Sequence, residues 1–289
     1  QTPLPTIILP FPFPPYPMVA HAAKFQGQSA LLSTELLTYY RQVSQSALTV
    51  VDTETTGSLG HNARVIEVSV IKASLADGLQ HQETYLINPK VKIPEFITKI
   101  TGITPEMVYP SPPPEEIWPK CLPLLQEGTF TAHNIDFDYA FLRTEYKRLG
   151  IRFYKPPLQK FCTVLLSRLL LADLPSRSLP NLVKHFKFDV DTSHRAEADT
   201  KACWLLAKIL LTQIQQEDDE TLIKRFGQQW IRLQDAAKIL NCRKEEAQQK
   251  LDAAQVESRL SSRQKVPMYR RWGVETFYYE QQGQQMSLL

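Results

Sequence analysis

The sequence predicts an α/β fold in which helices cover both faces of a mixed β-sheet. Three apolar, β-branched segments lie early in the chain, at 48–53, 64–74 and 82–87. The Asp77-Gly78 pair before the third segment is a common hairpin turn, so the second and third strands should run antiparallel. Helical patterns and short strands then alternate, which is typical of a sheet flanked by helices. We expect this domain to span residues 29–214.

Helices are predicted where apolar residues recur every three to four positions. These segments are 29–43, 94–100, 115–126, 136–149, 163–171, 182–186 and 196–214. Gly102 and Gly150 should each end the helix before them. Pro119 and Pro123 should break the helix at 115–126, because proline has no N–H for the helical hydrogen bond. A short strand is expected at 130–134.

The rest of the chain divides into four segments of different composition. Residues 1–28 are rich in proline and are predicted to be a disordered extension, with translation starting naturally at Met18. The polar, acidic segment 215–222 should be a linker. Residues 223–281 should form a winged-helix-like domain, and 282–289 a flexible tail. The pattern behind that domain is two short helices followed by two strands, at 233–240, 243–254, 256–261 and 268–280.

Composition places the chain among ordinary soluble globular proteins, with 43% hydrophobic and 22% charged residues. A net charge of +3 is too small to indicate a nucleic-acid partner by itself. The four cysteines lie far apart, without the short spacing of zinc or redox sites, which favours a reducing, cytoplasmic location. No apolar segment approaches the roughly 18 residues of a membrane span, so no membrane partner is expected.

Two acids stand at the end of the first predicted strand. Residues two apart on a strand project to the same face, so Asp52 and Glu54 should lie side by side. Their mutual repulsion would raise both pKa values unless a cation lay between them. Mg²⁺ and Mn²⁺ prefer such oxygen ligands. A plain polar turn is the alternative explanation for this segment taken alone.

Two further segments place acids at the start of helices. One is His-Asn-Ile-Asp-Phe-Asp at 133–138, and the other is His-Arg-Ala-Glu-Ala-Asp at 194–199. The helix dipole favours acids in the first turn, so capping alone could explain each segment. The joint pattern is less ordinary, because it supplies acids on three separate elements and a histidine five residues before the last acid.

In this order, the three segments resemble the DEDDh, or DnaQ-like, family of 3′→5′ exonucleases. The proofreading epsilon subunit of bacterial DNA polymerase III is its best-known type. The segment Thr-Gly-Ile-Thr at 101–104 is also similar to the family's loop between the third strand and the next helix. The resemblance covers roughly residues 47–212. It implies an RNase H-like fold and hydrolysis of phosphodiester bonds at single-stranded or frayed DNA ends.

The resemblance also implies roles for individual residues. The implied metal ligands are Asp52, Glu54, Asp138 and Asp199. They would hold two divalent ions, Mg²⁺ or Mn²⁺, which stabilise charge on the phosphate and on the leaving oxygen. His194 matches the general base, and its ordinary pKa near ~6.5 suits proton transfer from water at neutral pH. Asp136 is expected to be a helix N-cap and Glu197 to face solvent or lie just behind the ligands.

Substrate contacts are implied by analogy alone. The candidates are Thr55, Thr56, Gly57, Ile103, His133 and Asn134. Gly57 and the two threonines would bring the backbone close to the terminal nucleotide. Ile103 would pack on the terminal base, whereas Phe137 is expected in the core.

The last part of the chain suggests docking. Arg263, Lys265, Arg270 and Arg271 cluster where a wing would lie and would contact phosphates, although a solvated helix face or a protein-docking domain is the alternative. The tail resembles the Gln-led peptide by which bacterial replication proteins bind the sliding clamp, through Gln285, Met286, Leu288 and Leu289. Residues 282–284 would be its flexible tether.

The expected function is therefore metal-dependent 3′→5′ exonuclease activity of the proofreading or repair type. The expected partners are a single-stranded DNA 3′ end, a DNA polymerase and the clamp. RNA trimming is an alternative, because the fold and these residues do not distinguish the sugar. An adaptor that docks on the clamp or on DNA, with incidental nuclease activity, is the alternative from another class.

Overall fold

A computed structural model describes residues 31–60, 62–190, 194–261 and 264–287, with side chains up to 283. The segment 1–28, predicted to be a disordered extension, lies outside these ranges, as do Arg263, Leu288 and Leu289. No helix in the described ranges is both long and apolar enough to cross a membrane.

A five-stranded mixed sheet forms the centre of the first domain. Its strands are β1 (Leu48–Thr55), β2 (Val65–Ser74), β3 (Gly78–Leu86), β4 (Thr129–Ala132) and β5 (Lys160–Cys162). Their spatial order is β3-β2-β1-β4-β5, with β1–β2 and β2–β3 antiparallel and β1–β4 and β4–β5 parallel. The antiparallel pair around Asp77 and Gly78 is thus confirmed. Sequence patterns missed β5, which has only three residues.

Helices pack on both faces of this sheet, as predicted. They are α1 (Ser33–Ser44), α2 (Glu95–Thr101), α3 (Pro105–Val108), α4 (Pro114–Gln126), α5 (Ile135–Arg148), α6 (Thr163–Leu170), α7 (Leu179–Phe186), α8 (Ala196–Gln216) and α9 (Asp219–Gly227). Alternation along β1 separates two cores: Val50 packs with α1, α6 and α8, and Val51 packs with α4 and α5. As the middle strand of the sheet, β1 is thus covered by helices on both faces, and its end lies between the two cores.

The helix α4 runs through Pro119 and Pro123, so the predicted break is wrong. Both prolines lie on the exposed side of the helix, while Trp118 and Cys121 are buried against the sheet. Carbonyl groups left without a helical donor at the exposed side can bond to water instead. Packing of the apolar face therefore outweighs the cost of two prolines.

The acidic segment 215–222 is not a linker. The helix α8 extends to Gln216 and α9 begins at Asp219. Asp218 accepts a hydrogen bond from the Thr221 N–H at 2.8 Å, which explains the acidic composition as helix capping. Leu222 and Phe226 are fully buried in the core that Val50 forms with α1, α6 and α8.

Residues after α9 form a second, smaller sheet with its own helices. The elements are β6 (Trp230–Arg232), α10 (Leu233–Ile239), α11 (Lys244–Ala253), β7 (Ser258–Leu260), β8 (Pro267–Arg270) and α12 (Arg271–Ser287). The three strands are antiparallel in the order β6-β8-β7. The two predicted helices are present. The strand predicted at 268–280 ends at Arg270, because Val274, Phe277 and Tyr278 continue at helical spacing and pack on this small core. The expected tether 282–284 is also helical.

The helix α12 joins the two parts of the chain. Glu275 is buried and accepts hydrogen bonds from the Ser33 N–H at 2.8 Å and the Ser33 hydroxyl at 3.0 Å, which caps α1. Arg271 pairs with Glu275 at 3.2 Å and donates to the Leu31 carbonyl at 2.5 Å. Arg271 is only 1% exposed, so its predicted contact with phosphate is wrong.

Candidate active site

Three of the four predicted ligands converge on one point. Asp52 and Glu54 project from the end of β1, and Asp199 lies in the first turn of α8. One carboxylate oxygen from each lies within 4.8 Å of those of the other two. Such a spacing lets all three oxygens share a single cation. The structure thus brings these three acids, from two distant segments, to one place.

Asp138 borders this group without belonging to the set of three. It is 3% exposed, in the first turn of α5, and its Oδ1 accepts a hydrogen bond from the Thr53 hydroxyl at 2.8 Å. Because Thr53 follows Asp52 in β1, this bond places Asp138 beside the end of the strand. After burial, the charge of Asp138 is the largest influence that raises the pKa of Asp52. Asp138 is therefore available as a fourth oxygen donor.

The electrostatics of the cluster fit a bound cation. Burial, followed by Asp199, Glu67 and Asp138, raises the pKa of Glu54 to about 8. Burial raises the pKa of Asp138 to about 7, and it also raises the pKa values of Asp52 and Asp199. A divalent ion would offset both the desolvation of these groups and their mutual repulsion. A donor set made only of carboxylate oxygens suits Mg²⁺ or Mn²⁺.

The start of α8 is held in place by Glu67, which sequence analysis missed. Glu67 lies on β2, directly opposite Glu54, and is fully buried. Its carboxylate pairs with Arg195 at 2.5 Å and accepts the Ala196 N–H at 2.8 Å. These bonds fix Arg195 and Ala196, which lie within the His194–Asp199 segment. An acid within an otherwise apolar strand was the available signal, since a buried carboxylate requires a partner.

His194 stands at the entrance to α8. It is exposed, with a φ of 69°, and its backbone N–H donates to Asp199 Oδ2 at 3.1 Å. That hydrogen bond lowers the pKa of Asp199 against the larger, opposite effect of burial. The backbone of the predicted base thus orients a predicted ligand, while its imidazole stays accessible. Glu197 is exposed, in agreement with the expected solvent-facing position.

Replacing Arg195 by glutamine should lower the free energy of unfolding by roughly 1–3 kcal/mol, because the buried Glu67 would lose its charged partner. Denaturant unfolding measures this loss. Glu67→Gln should cost less, since its amide oxygen can still accept the Ala196 N–H. Arg152→Gln, at an exposed arginine, is the matched control. Equal losses for Arg195→Gln and Arg152→Gln would show that the pair does not hold α8.

The predicted backbone contact lies in the turn after β1. The Thr55 hydroxyl donates to the Gly57 carbonyl at 2.8 Å, and the Thr56 hydroxyl accepts the Arg64 N–H at 3.0 Å. Gly57 has a φ of 149° and open space around the position of a Cβ atom. The two threonine side chains therefore stabilise the turn, and Gly57 leaves its backbone open to a ligand.

Two apolar predictions are wrong. Ile103 is fully buried in a small core with Ile66 and Ile97, so its side chain offers no surface to a base. Phe137, expected in the core, is 38% exposed and packs on Phe141 at 4.9 Å between ring centroids. The helical period of α5 explains the exposure of Phe137. Asp138 lies on the buried face of this helix, and the residue before it points away from that face.

The remaining candidates lie near the start of α5. Asn134 is the N-cap of this helix, with a φ of 79°, so the role expected of Asp136 is wrong; Asp136 is exposed in the first turn. Both ring nitrogens of His133 are engaged, by the Thr163 hydroxyl and the Arg177 carbonyl, each at 2.9 Å. His133 therefore supports the fold at the site, while Asn134 is exposed beside it.

Known proteins are similar to this chain in sequence and in fold. The DNA polymerase III PolC-type of Caldanaerobacter subterraneus subsp. tengcongensis is 37% identical over 153 residues, which cover 53% of this chain and 11% of that protein. The 3'-5' exonuclease DinG of Bacillus subtilis is 29% identical over 192 residues, which cover 65% of this chain and 20% of that protein. The chain thus spans between about a tenth and a fifth of the length of these relatives.

Among solved structures, E. coli Exonuclease I in complex with a dT13 oligonucleotide has a TM-score of 0.52 at 20% identity. The similarity covers 58% of this chain and 41% of that chain. It confirms the expected fold, a mixed sheet flanked by helices. The exonuclease family RNase_T matches residues 49–207, which include all four acids and His194. Because this match spans more than half of the chain, the chain belongs to this exonuclease family.

Proposed function

We propose that this chain is a metal-dependent 3′→5′ exonuclease acting on single-stranded or frayed DNA ends. The observation that carries the proposal is the convergence of Asp52, Glu54 and Asp199 within 4.8 Å. The chain belongs to an exonuclease family, and exonucleases hydrolyse phosphodiester bonds. We therefore assign this reaction to the acidic cluster. Proofreading or repair is the setting that fits such an activity.

Each group has a role set by its position. Asp52, Glu54, Asp199 and Asp138 would hold two Mg²⁺ or Mn²⁺ ions. When bound, these ions neutralise charge on the phosphate and stabilise the leaving 3′-oxygen. His194 is exposed beside Asp199, so its imidazole can accept the proton of the attacking water. The turn at Gly57 would orient the terminal nucleotide through its backbone.

DNA is the favoured substrate because the names of the relatives refer to DNA. One is a DNA polymerase III of the PolC type, and Exonuclease I was solved with a dT13 oligonucleotide. RNA is the alternative, since no contact within the described residues identifies a partner for a 2′-hydroxyl. An assay with matched strands separates the two.

The test uses 5′-labelled single-stranded DNA, single-stranded RNA and a primer with a mismatched 3′ end. With Mg²⁺, the DNA strand and the mismatched primer should shorten one nucleotide at a time from the 3′ end. Chelation with EDTA should stop the reaction. Faster loss of the RNA strand would favour the alternative, and shortening from the 5′ end, or in EDTA, would contradict the proposal.

We also propose that the predicted winged-helix-like docking domain exists, although it begins after α9 and not at residue 223. Arg259 and Arg270 lie over the Trp230 ring, at 4.4 and 4.1 Å from its centroid, and Arg270 also pairs with Glu257 at 3.1 Å. Arg259 thus offers the positive charge that a nucleic-acid backbone requires. The first turn of α11 instead holds Glu245 and Glu246, which disfavours that helix as the contact.

Deleting 285–289 should weaken binding to a bacterial sliding clamp if the tail is a clamp peptide. The expected change is a loss of about tenfold or more, since the apolar anchors provide most of the binding energy in such grooves. Gln285 and Met286 lie within α12, so binding would require the end of that helix to unwind. A pull-down with full-length chain as control measures the loss. Unchanged binding would remove the clamp from the proposal.

A further inference from the structure

A cleft of about 650 Å³ extends from the acidic cluster along the first domain. Asp52 and Asp199 line it. Arg168 on α6 and the loop 175–178 that leads into α7 line it as well. The function proposed above assigns a role to the acids but none to Arg168 or to this loop.

Arg168 is the cation in this cleft that is available to a ligand. It is exposed and makes no hydrogen bond or ion pair with any residue that the structure describes. Arg177, by contrast, donates to the carbonyls of Leu171 and Ala172, so its guanidinium serves the loop. Both arginines line the cleft, and after burial the charge of Arg168 is the next influence that lowers the pKa of Arg177.

The loop beside Arg168 is fixed and polar. The Ser176 hydroxyl donates to the Ser178 hydroxyl at 3.2 Å and accepts the Ser178 N–H at 3.2 Å. His133 holds the Arg177 carbonyl at 2.9 Å, which ties the loop to the end of β4. Beside the acids, the cleft therefore offers one guanidinium without a partner among the described residues and the exposed hydroxyl of Ser178. This combination suits an anionic, oxygen-rich ligand such as a phosphodiester.

The chemistry of the proposed reaction determines which phosphate this is. Cleavage at the 3′-oxygen releases a nucleotide that keeps the scissile phosphate at its 5′ carbon. The departing nucleotide ends in a 3′-hydroxyl and carries no other phosphate. Any second phosphate near the acids must therefore lie on the 5′ side of the scissile bond.

We propose that Arg168, together with the 176–178 loop, binds the phosphodiester on the 5′ side of the scissile bond. This inference rests on the proposed function. It makes Arg168 a substrate-binding residue that distinguishes a strand from a mononucleotide ester. The remaining strand would thus be held while the terminal nucleotide is released.

The test compares two substrates in the wild type and in Arg168→Gln. One is an oligothymidylate strand, and the other is the p-nitrophenyl ester of thymidine 5′-phosphate, which contains only the scissile phosphate. For the strand, Arg168→Gln should raise KM about tenfold with little change in kcat, since a charge-assisted hydrogen bond is lost. For the ester, KM should stay unchanged. Arg152→Gln, at an exposed arginine outside the cleft, is the control for loss of charge.

A binding measurement makes the result independent of turnover. In EDTA, the Kd of a labelled oligothymidylate should rise about tenfold in Arg168→Gln, and the salt dependence of log Kd should fall by about 0.7, the value for one phosphate of a single strand. An unchanged Kd, or an equal rise in KM for strand and ester, would overturn the inference. A wild type that binds the strand but hydrolyses neither substrate would instead contradict the proposed function alone.

Discussion

Replacing Asp52 by asparagine should reduce 3′→5′ degradation of single-stranded DNA by at least about 10³-fold. Burial raises the pKa of the Asp52 carboxyl, and the charges of Asp138, Asp199 and Glu54 raise it further, so Asp52 interacts with all three other acids. The substitution removes a negative oxygen donor, and metal ions provide several kcal/mol of transition-state stabilisation in such sites. Each ~1.4 kcal/mol lost slows the reaction tenfold. Initial rates with labelled strands in Mg²⁺ measure the effect.

The matched control is Asp136→Asn, which removes an exposed acid from the same region. It should change the rate by less than about threefold, because charges that face solvent contribute little to the site. Asp52→Asn should also leave the metal-free thermal midpoint unchanged or higher, because it relieves repulsion among buried acids. A variant at Asp52 that degrades DNA at the wild-type rate would refute the assignment. A large loss of stability would instead point to a structural role.

The acidic site could be predicted because local rules determine where each acid points. Alternation along β1 places Asp52 and Glu54 on one face, and the first turns of α5 and α8 carry the other two acids. Local rules do not predict that these three segments meet. That expectation came from the resemblance to the exonuclease family. The structure brings Asp52, Glu54 and Asp199 together and places Asp138 beside them.

The supporting residues depended on contacts between distant parts of the chain. Glu67 and Arg195 are 128 positions apart, and no periodic pattern relates a strand to a helix at that distance. Ile103 failed as a base contact for the same reason, because the small core that buries it is formed by three separate segments. Such pairs are set by the tertiary fold, whereas the pattern of one segment shows only which face is apolar.

The errors in secondary structure also have tertiary causes. Aromatic residues at 277–279 favour a strand by propensity, yet α12 forms because its apolar face covers the small core and Glu275 caps α1. The acids at 218–220 look like a linker, although Asp218 caps a buried helix. In both cases the energy of packing or capping outweighs the local preference.

Without divalent ions, the protein should lose stability as the pH rises from about 5.5 to 8. Glu54 has a pKa of about 8 and Asp138 of about 7 in the folded protein, with burial the largest cause of each shift. The folded state therefore keeps protons that the unfolded chain, with carboxyl pKa values near ~4, has already released. For each such proton, the free energy of unfolding falls by roughly 1.4 kcal/mol per pH unit until the pH passes the pKa of that group in the folded protein. The loss due to Asp138 therefore ends near pH 7 and that due to Glu54 near pH 8.

Mg²⁺ or Mn²⁺ should remove most of this loss, because a bound cation stabilises the charged carboxylates and displaces their protons. The increase in thermal midpoint on adding the ion should therefore be larger at pH 8 than at pH 5.5. Scanning calorimetry at both pH values measures it. His133 acts in the opposite direction, since burial lowers its pKa to about 4 and its contribution to stability grows as the pH rises toward ~6.5.

The comparison with Asp52→Asn separates these two effects, because the variant keeps His133 and loses only the ligand. In the variant, the difference between the ion-induced shifts at pH 8 and pH 5.5 should shrink, and the metal-free protein should lose less stability as the pH rises. Ion-induced shifts of equal size at both pH values, or equal differences in variant and wild type, would mean that the ion binds away from the carboxylates. In that case the acidic cluster could not be the site that determines both the rate of DNA degradation and the ion-induced gain in stability.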